Sequence, residues 1–326
     1  MTDSSRTRPG TGILFILAGM VAISINDMLI KQLSGGYPLH QIVFTRSAIG
    51  LFFSLILVHV EGGWSILRTR QPGLHVLRGL MVVVSNMTFF LALAVIPLAD
   101  ATALFFAAPL FITVLSIPIL GEKVGPLRMG AVVVGFVGVI IMQRPWASGE
   151  SLQADRIVLL LPLLAGLTYA IMQLMTRKLG ATTKASALAV YMQGMFILVS
   201  LGFWLAAGDG RFAEGSDNAS VQFLLRAWVL PATGDRGLFI GLGVNATIIG
   251  YCLSQAYRMS DAATVAPFEY AGLPLAVFWG WLIWADMPDW EVWIGMALIM
   301  GAGLFVFLRE QQKARQVARG EVKARY

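Results

Sequence analysis

Four ionisable residues interrupt long apolar runs: Asp27, Lys31, Arg46 and Glu269. In hydrocarbon a charged side chain is unfavourable by about 2.5–3.5 kcal/mol on insertion scales, so each needs a partner, a wet cavity or a route to the headgroups. Lys31 has such a route. Its aliphatic stem can carry the ammonium to the nearby span end, and it reads as an interfacial anchor. At about 1.5 Å per residue, Arg46 and Glu269 sit roughly 12 Å and roughly 10 Å inside their spans. A guanidinium fork grips anionic oxygen, and a buried carboxylate binds a cation or carries a proton. Two readings follow. Either Arg46 holds an anionic group of a cargo while Glu269 and Asp27 engage a cationic group or a coupling proton, or Arg46 pairs with one of these carboxylates and only braces a helix bundle.

Neutral polar residues add a periodic signal. Ser24, Asp27 and Lys31 fall on one helical face, as do Tyr169, Gln173 and Thr176, and likewise Thr247, Tyr251, Ser254 and Arg258. Asn86 and Asn245 sit near the middle of their runs, where an amide needs either an interhelical hydrogen bond or a cargo. Phe105, Phe106, Phe268 and Tyr270 flank prolines and either pack or stack on a planar ring. The candidate cargo-binding set is therefore Asp27, Arg46, Asn86, Thr102, Phe105, Tyr169, Gln173, Tyr251, Glu269 and Tyr270. Pro109, Pro267 and Pro274 are candidate helix breaks where a gating motion would pivot. His40, His59 and His75 lack zinc-ligand spacing, and no nucleophile elbow, Walker A loop or dinucleotide fingerprint is present. No catalytic residue, metal or cofactor is expected.

These residues have to be positioned by membrane helices. Of 326 residues, 57% are hydrophobic and 13% charged, with a mean hydropathy of +0.74. Soluble domains carry about 25% charged residues, and disordered chains hold far less Leu, Ile, Val and Phe. The net charge of +6 is scattered between apolar runs, which argues against nucleic acid as a partner. The single cysteine, Cys252, can form no internal disulfide. A bilayer core needs about 20 apolar residues per helix. That window predicts ten spans, starting near Gly12, Pro38, Gly73, Ala99, Gly125, Arg156, Lys184, Leu238, Ala262 and Trp290. The first span continues through Asn26 and Asp27 without a small-residue cleavage site and is read as retained, not as a signal peptide.

Charge sets the orientation. With a cytoplasmic N-terminus, seventeen basic residues fall on the inner side and six on the outer, with Arg46 inside a span. The outer side collects Asp209, Glu214, Asp217, Asp286, Asp289 and Glu291. Both termini are thus expected in the cytoplasm. Trp279, Trp281, Trp284, Trp290 and Trp293 read as an outer interfacial belt. The long connection 207–236 ends in an apolar stretch that lies either in the outer interface or against the bundle. The basic tail from Arg309 to Tyr326 is expected at the inner leaflet.

The halves share an ordered set of residues. Ala99 to Thr102, Pro109, Glu122, Gly130 and Gly138 recur as Asp261 to Thr264, Pro274, Asp286, Gly295 and Gly303. Five spans is an odd number, so a second copy enters the membrane from the opposite side. Inverted halves about an axis in the membrane plane are a recurring plan of secondary transporters. The glycines Gly130, Gly135, Gly138, Gly237, Gly241 and Gly295 read as close helix contacts.

Several stretches resemble the drug/metabolite transporter superfamily in its ten-helix EamA-type branch. They are Pro38 to Arg46 (PLHQIVFTR), Leu77-Arg78-Gly79, Ile96 to Thr102 (IPLADAT), Pro109-Leu110 and Leu120-Gly121-Glu122-Lys123, followed by Gly130 and Gly138. The second half departs from the pattern in Ala285-Asp286, where Gly-Glu is usual. The resemblance implies a cargo such as an amino acid, S-adenosylmethionine or riboflavin, and it places Arg46 and Arg78 among recurring basic positions. Arg78 follows a predicted inner loop and reads as an interface residue.

The expected fold is all-α, a polytopic membrane protein of ten transmembrane helices in two inverted five-helix repeats. Residues 12–143 and 156–308 form the repeats, 144–155 a periplasmic linker, and 1–11 and 309–326 cytoplasmic ends. The expected function is secondary transport of a small organic metabolite across the bacterial inner membrane by alternating access. The expected partners are that small molecule, the lipid bilayer and a coupling proton, with the chain a monomer or homodimer. The alternatives are a flippase or membrane enzyme acting on a lipid headgroup, and a non-transporting scaffold.

Overall fold

A computed structural model describes residues 9–69, 71–121, 124–146, 156–179, 185–259 and 266–318. Glu122, Lys123, the linker from 147 to 155, Asp261 to Thr264 and the outermost residues of both ends lie outside the described residues, as do the side chains of Thr176, Ser254, Arg258 and Pro267. Every regular element among the described residues is helical. They are α1 (Pro9–Leu33), α2 (Leu39–Glu61), α3 (Pro72–Leu93), α4 (Leu98–Phe105), α5 (Ala108–Leu120), α6 (Pro126–Gln143), α7 (Arg156–Leu179), α8 (Ala185–Ala207), α9 (Ala219–Leu225), α10 (Arg236–Met259), a 3-10 segment (Ala266–Ala271), α11 (Gly272–Trp284) and α12 (Trp290–Ala318). Prolines start several of them. Pro72, Pro109 and Pro126 occupy first turns, where a missing N–H costs nothing.

Nine stretches among the described residues are long and apolar enough to cross a bilayer, which makes this a multi-pass membrane protein. The span expected from Ala262 is divided into the 3-10 segment and the 13-residue α11. The fourth span is divided too, by a turn at Phe106 and Ala107 between α4 and the 13-residue α5. Pro109 has no N–H to give the Phe105 carbonyl four residues back, which accounts for the break. Helices α5 and α11 end alike, on left-handed residues: Gly121 at φ 70° and Ala285 at φ 56°.

The packing pairs include α1 with α10, α3 with α7, α2 with α8, α6 with α12, and α4 with α11, beside the further pairs α2 with α10 and α5 with α7. Exchanging the first five spans for the last five, in order, turns the α1–α10 pair into the α7–α3 pair. The same exchange leaves the α2–α8, α6–α12 and α4–α11 pairs unchanged. The loops 34–38, 94–97, 207–235 and 285–289 gather at one end of the bundle, the loop face. Ties there include Tyr37 Oη donating to Asp235 at 2.6 Å and Arg144 pairing with Asp289 at 2.8 Å. At the opposite end, where α1 begins and α12 ends, Ser186 donates to Glu61 at 2.7 Å. We call this end the terminal face.

Several expectations change here. Lys31 does not run out to water. Its ammonium donates to the carbonyls of Leu93 (3.1 Å) and Ile96 (2.6 Å) and lies 5.3 Å from the Trp284 ring centre. The unsatisfied carbonyls and negative dipole end of α3 attract it inward. Trp284 is thereby drawn from the belt, and Trp279 also turns inward to donate to Ser24 at 3.2 Å. The apolar stretch after residue 218 packs on the bundle, with α9 against α2 and α3 and Phe223 buried. Asn245 donates to the Ala22 carbonyl at 2.7 Å, an interhelical bond between α10 and α1.

Of the glycines read as close contacts, Gly138 and Gly295 meet across α6 and α12. A Cβ on either would come within 2.9 Å of the other's carbonyl oxygen. Gly135 makes room for Leu110, whereas a Cβ at Gly130, Gly237 or Gly241 meets nothing within 4 Å. Those three are not contact positions. Gly138→Val is accordingly expected to destabilise by about 1–3 kcal/mol, the usual effect of overfilling a tight contact. Gly130→Val should leave the melting temperature in detergent unchanged. Equal melting of the two variants would contradict the packing described.

Candidate functional site

A cavity of about 430 Å³ lies where the two divided spans meet the long helices. Helix α1 contributes Ser24, Asn26 and Asp27, α2 contributes Arg46, and α3 contributes Arg78, Ser85, Asn86, Phe89 and Phe90. Thr102 and Phe105 come from α4, Pro109 from α5, Tyr169 and Gln173 from α7, and Glu269 from the 3-10 segment. The volume falls in the range of about 300–1,000 Å³ typical of small-molecule sites.

The helix breaks shape its wall. Gly166 on α7 lets the opened turn approach, since a Cβ there would sit 3.0 Å from the Phe105 carbonyl oxygen. Beside this turn the aromatic rings interlock: Phe105 lies 5.4 Å from Tyr169 and 5.3 Å from Phe89, between ring centres. Gln173, one turn below Tyr169, donates to its hydroxyl at 2.7 Å and fixes that ring.

Arg46 is the most exceptional group. It is 8% exposed, yet among the described residues one guanidinium nitrogen reaches Asn26 Oδ1, at 3.4 Å, and Nε has no partner. The rings of Phe196 and Phe90 stand 5.3 Å and 5.9 Å away. Asp27 is not its direct partner. Asn26 stands between them, giving its amide N–H to Asp27 at 3.0 Å and its oxygen to Arg46. A single amide thus holds a cation and an anion apart, with the arginine on the wall of a cavity that aromatic rings also line. Thr102 Oγ1 is buried without a partner on the same wall. The arrangement can grip an anionic or carbonyl oxygen at Arg46, stack a flat ring, and meet a cation or proton at the carboxylates.

Nine residues of the candidate cargo-binding and helix-break sets line this cavity together: Asp27, Arg46, Asn86, Thr102, Phe105, Tyr169, Gln173, Glu269 and Pro109. The others are placed elsewhere. Tyr251 is 45% exposed and lines a second, smaller chamber of about 210 Å³. Tyr270 packs against Phe106, at 5.4 Å, and over Gly303. Pro274 faces outward on α11, and Pro267 lies in the 3-10 segment. Asn86 uses its amide N–H on the Val82 carbonyl of its own helix, at 3.2 Å.

Sequence reasoning passed over Asn26 and misplaced Arg78, which is 7% exposed and lines the main cavity. A signal was available. Arg78, Val82, Ser85, Asn86 and Phe89 follow one helical face, so the arginine belongs to the face that carries the amide.

The chain is similar to known transporters over most of its length. The family model described as "EamA-like transporter family" matches residues 10–144. A riboflavin transporter of Vibrio cholerae serotype O1 is 30% identical over 316 residues, covering 96% of this chain and 98% of the relative. An S-adenosylmethionine uptake transporter of Rickettsia prowazekii is 26% identical over 315 residues, covering 96% of this chain and 97% of the relative. A solved crystal structure superposes with a TM-score of 0.62 at 18% identity, over 93% of this chain and 98% of that one, a likeness of fold alone.

Proposed function

This chain belongs to the EamA-like transporter family of the drug/metabolite transporter superfamily, and from that premise we propose that it is a secondary carrier of a small organic metabolite, working by alternating access across the bacterial inner membrane. The observation that carries the reading is the buried Arg46, without an ion pair among the described residues, on the wall of a cavity with charges of both signs and aromatic rings. A purely structural arginine would be paired, because a buried charge without a partner is unfavourable.

Residues 12–143 and 156–308 are the two halves that rock on each other, as inverted five-span repeats joined by the linker 144–155. The exchange of packing pairs supports this, as do the equal lengths and left-handed caps of α5 and α11. The basic residues of residues 1–11 and 309–326 favour the cytoplasm for both ends. Pro109, Pro267 and Pro274 mark the pivots, and a proton exchanging on Asp27 or Glu269 supplies coupling.

The cargo class follows from the wall and the charges. Riboflavin and S-adenosylmethionine, the cargoes in the relatives' names, each join a flat nitrogen heterocycle to a hydroxylated sugar unit, an open ribityl chain in one and a ribose ring in the other. A ring of that kind suits the Phe89, Phe105 and Tyr169 surface, with a carbonyl or carboxylate on Arg46. An amino acid lacks the flat body and is the weaker fit. Purified protein should melt at a higher temperature with the matching compound, through binding to the folded state. Liposomes holding only this protein should take it up saturably. If riboflavin, S-adenosylmethionine and amino acids all leave the melting point unchanged and cross no faster than through protein-free vesicles, the cargo assignment fails.

A further inference from the structure

Helices α2 and α8 carry matching polar stripes that the cavity described above does not explain. On α2, His40, Ser47, Ser54 and Glu61 recur every seven residues, and on α8 so do Ser186, Gln193 and Ser200. Seven residues return nearly to the same helical face. The two helices pack against each other in antiparallel register. Ser186 meets Glu61, a Cβ on Gly50 would meet Gln193, the Arg46 guanidinium stands over Phe196, and His40 stacks on Phe203. Arg46 lies along the seam, nearer its loop-face end than its terminal-face end.

The two halves of this seam are in different states. Toward the terminal face it is open, forming the chamber of about 210 Å³ lined by Ser54, Glu61, Ser186 and Gln193, which meets the main cavity at Arg46 and Asn86. Toward the loop face it is shut, and the Trp228 indole fills it, 5.8 Å from His40, 5.3 Å from Phe44 and 5.9 Å from Trp204. Most of the buried polar atoms left without a partner among the described residues lie along this seam: His40 Nε2, Arg46 Nε, Ser47 Oγ, Gln193 Oε1, Ser200 Oγ and Trp228 Nε1. Buried polar groups are normally satisfied, so a run of exceptions calls for a state in which water or a ligand reaches them.

The segment carrying Trp228 is fastened to the loop-face end of α2. Gln41 donates to the Val229 carbonyl at 2.6 Å and accepts from the Val229 N–H at 3.1 Å. His40 Nδ1 lies 2.9 Å from the Leu224 carbonyl, Arg226 donates to Gly35 O at 2.6 Å, and the Ala232 N–H donates to Tyr37 Oη at 2.9 Å. The Arg226 bond is exposed, whereas those of Tyr37, His40 and Gln41 come from buried side chains of the loop-face end.

We propose that the α2–α8 seam is a second ligand path, taking the uncharged hydrogen-bonding part of the cargo, its hydroxyl or amide groups, past Arg46. The strap of residues 219–232 closes its loop-face half. Releasing the Gln41 clasp withdraws Trp228 and exposes His40, Ser47 and Ser200, while the chamber at the terminal face closes. The proposal rests on the carrier reading and adds the route and its gate.

The test uses the full chain with Cys252→Ser, reconstituted in sealed vesicles and probed with a membrane-impermeant thiosulfonate from either side. Ala189→Cys reports the chamber, and Ser47→Cys and Ser200→Cys report the closed half. Adding Gln41→Ala should speed labelling of Ser47→Cys and Ser200→Cys from the loop-face side about tenfold, the effect of losing one or two net hydrogen bonds from the closed state. It should slow labelling of Ala189→Cys from the other side. Should Gln41→Ala fail to insert, Arg226→Ala loosens the same strap by removing its bond to Gly35 O. Loop-half cysteines that stay inert in both backgrounds overturn the proposal, even where riboflavin flux is saturable. Alternating labelling without flux of any tested compound upholds the path and removes the cargo assignment instead.

Discussion

Vesicles carrying Arg46→Ala are expected to lose cargo flux by about a hundredfold while the protein still inserts and elutes as the native species. Hydrogen bonds to a charged group contribute about 1.5–3 kcal/mol each, and an oxygen gripped by the fork loses at least one and usually two of them. The structural cost should be small. Among the described residues its side chain makes one long hydrogen bond, to Asn26 at 3.4 Å, and cation-π contacts with Phe196 and Phe90 at 5.3 Å and 5.9 Å, each of a kind that contributes about 0.5–2 kcal/mol. Removing it offsets that loss by relieving a buried cation of its desolvation. Arg46→Lys separates charge from geometry. It keeps the positive field but lacks the planar fork, so flux should recover only in part. A bracing arginine predicts the reverse pattern: a lower melting temperature, and unchanged flux per folded molecule.

Asp27→Asn should produce a different failure. The substitution preserves shape and leaves an acceptor for the Asn26 amide, now 3.0 Å from the carboxylate, so folding is expected to survive. What disappears is a group that can gain and lose a proton beside the cargo. Exchange of labelled for unlabelled cargo should continue, whereas accumulation driven by an imposed pH gradient should fall at least about tenfold, since its coupling group no longer titrates. Measuring both in the same vesicles separates the roles. Loss of exchange and accumulation together would make Asp27 a cargo ligand, and loss of neither would take it out of the cycle. Glu269→Gln, run in parallel, shows which of the two carboxylates carries the proton.

The spans were legible because a bilayer imposes length and apolarity on every helix, and the residues aimed inward were legible where charge stood deep in such a run. Arg46, Asp27 and Glu269 are of that kind, and all three line one cavity. Residues near span ends were not legible in this way. Arg78 and Lys31 look alike in sequence, each a basic residue within a turn or two of a helix end. One lines the cavity and the other caps the carbonyls of α3. Only the tertiary position of the open helix end decides between them. Periodicity has a similar limit. It placed Tyr251 on an inward face, but two chambers lie inward of α10, and Tyr251 borders the smaller one. Glycine content is equally ambiguous, because Gly138 touches a neighbouring backbone while Gly241 touches nothing. Asn26 was hidden by its neighbour: beside an aspartate in a membrane span an amide attracts little notice, yet it joins Asp27 to Arg46.

Solute counterflow puts the carrier account at greatest risk. Vesicles preloaded with unlabelled riboflavin, then diluted into a trace of labelled riboflavin with no ion gradient, should transiently concentrate the label above its equilibrium level, because a site that faces the two sides in turn returns loaded. The same run with S-adenosylmethionine covers the second cargo class. Label that rises to equilibrium faster than in protein-free vesicles, yet without an overshoot, would mean an open pore and would contradict alternating access through the Arg46 cavity.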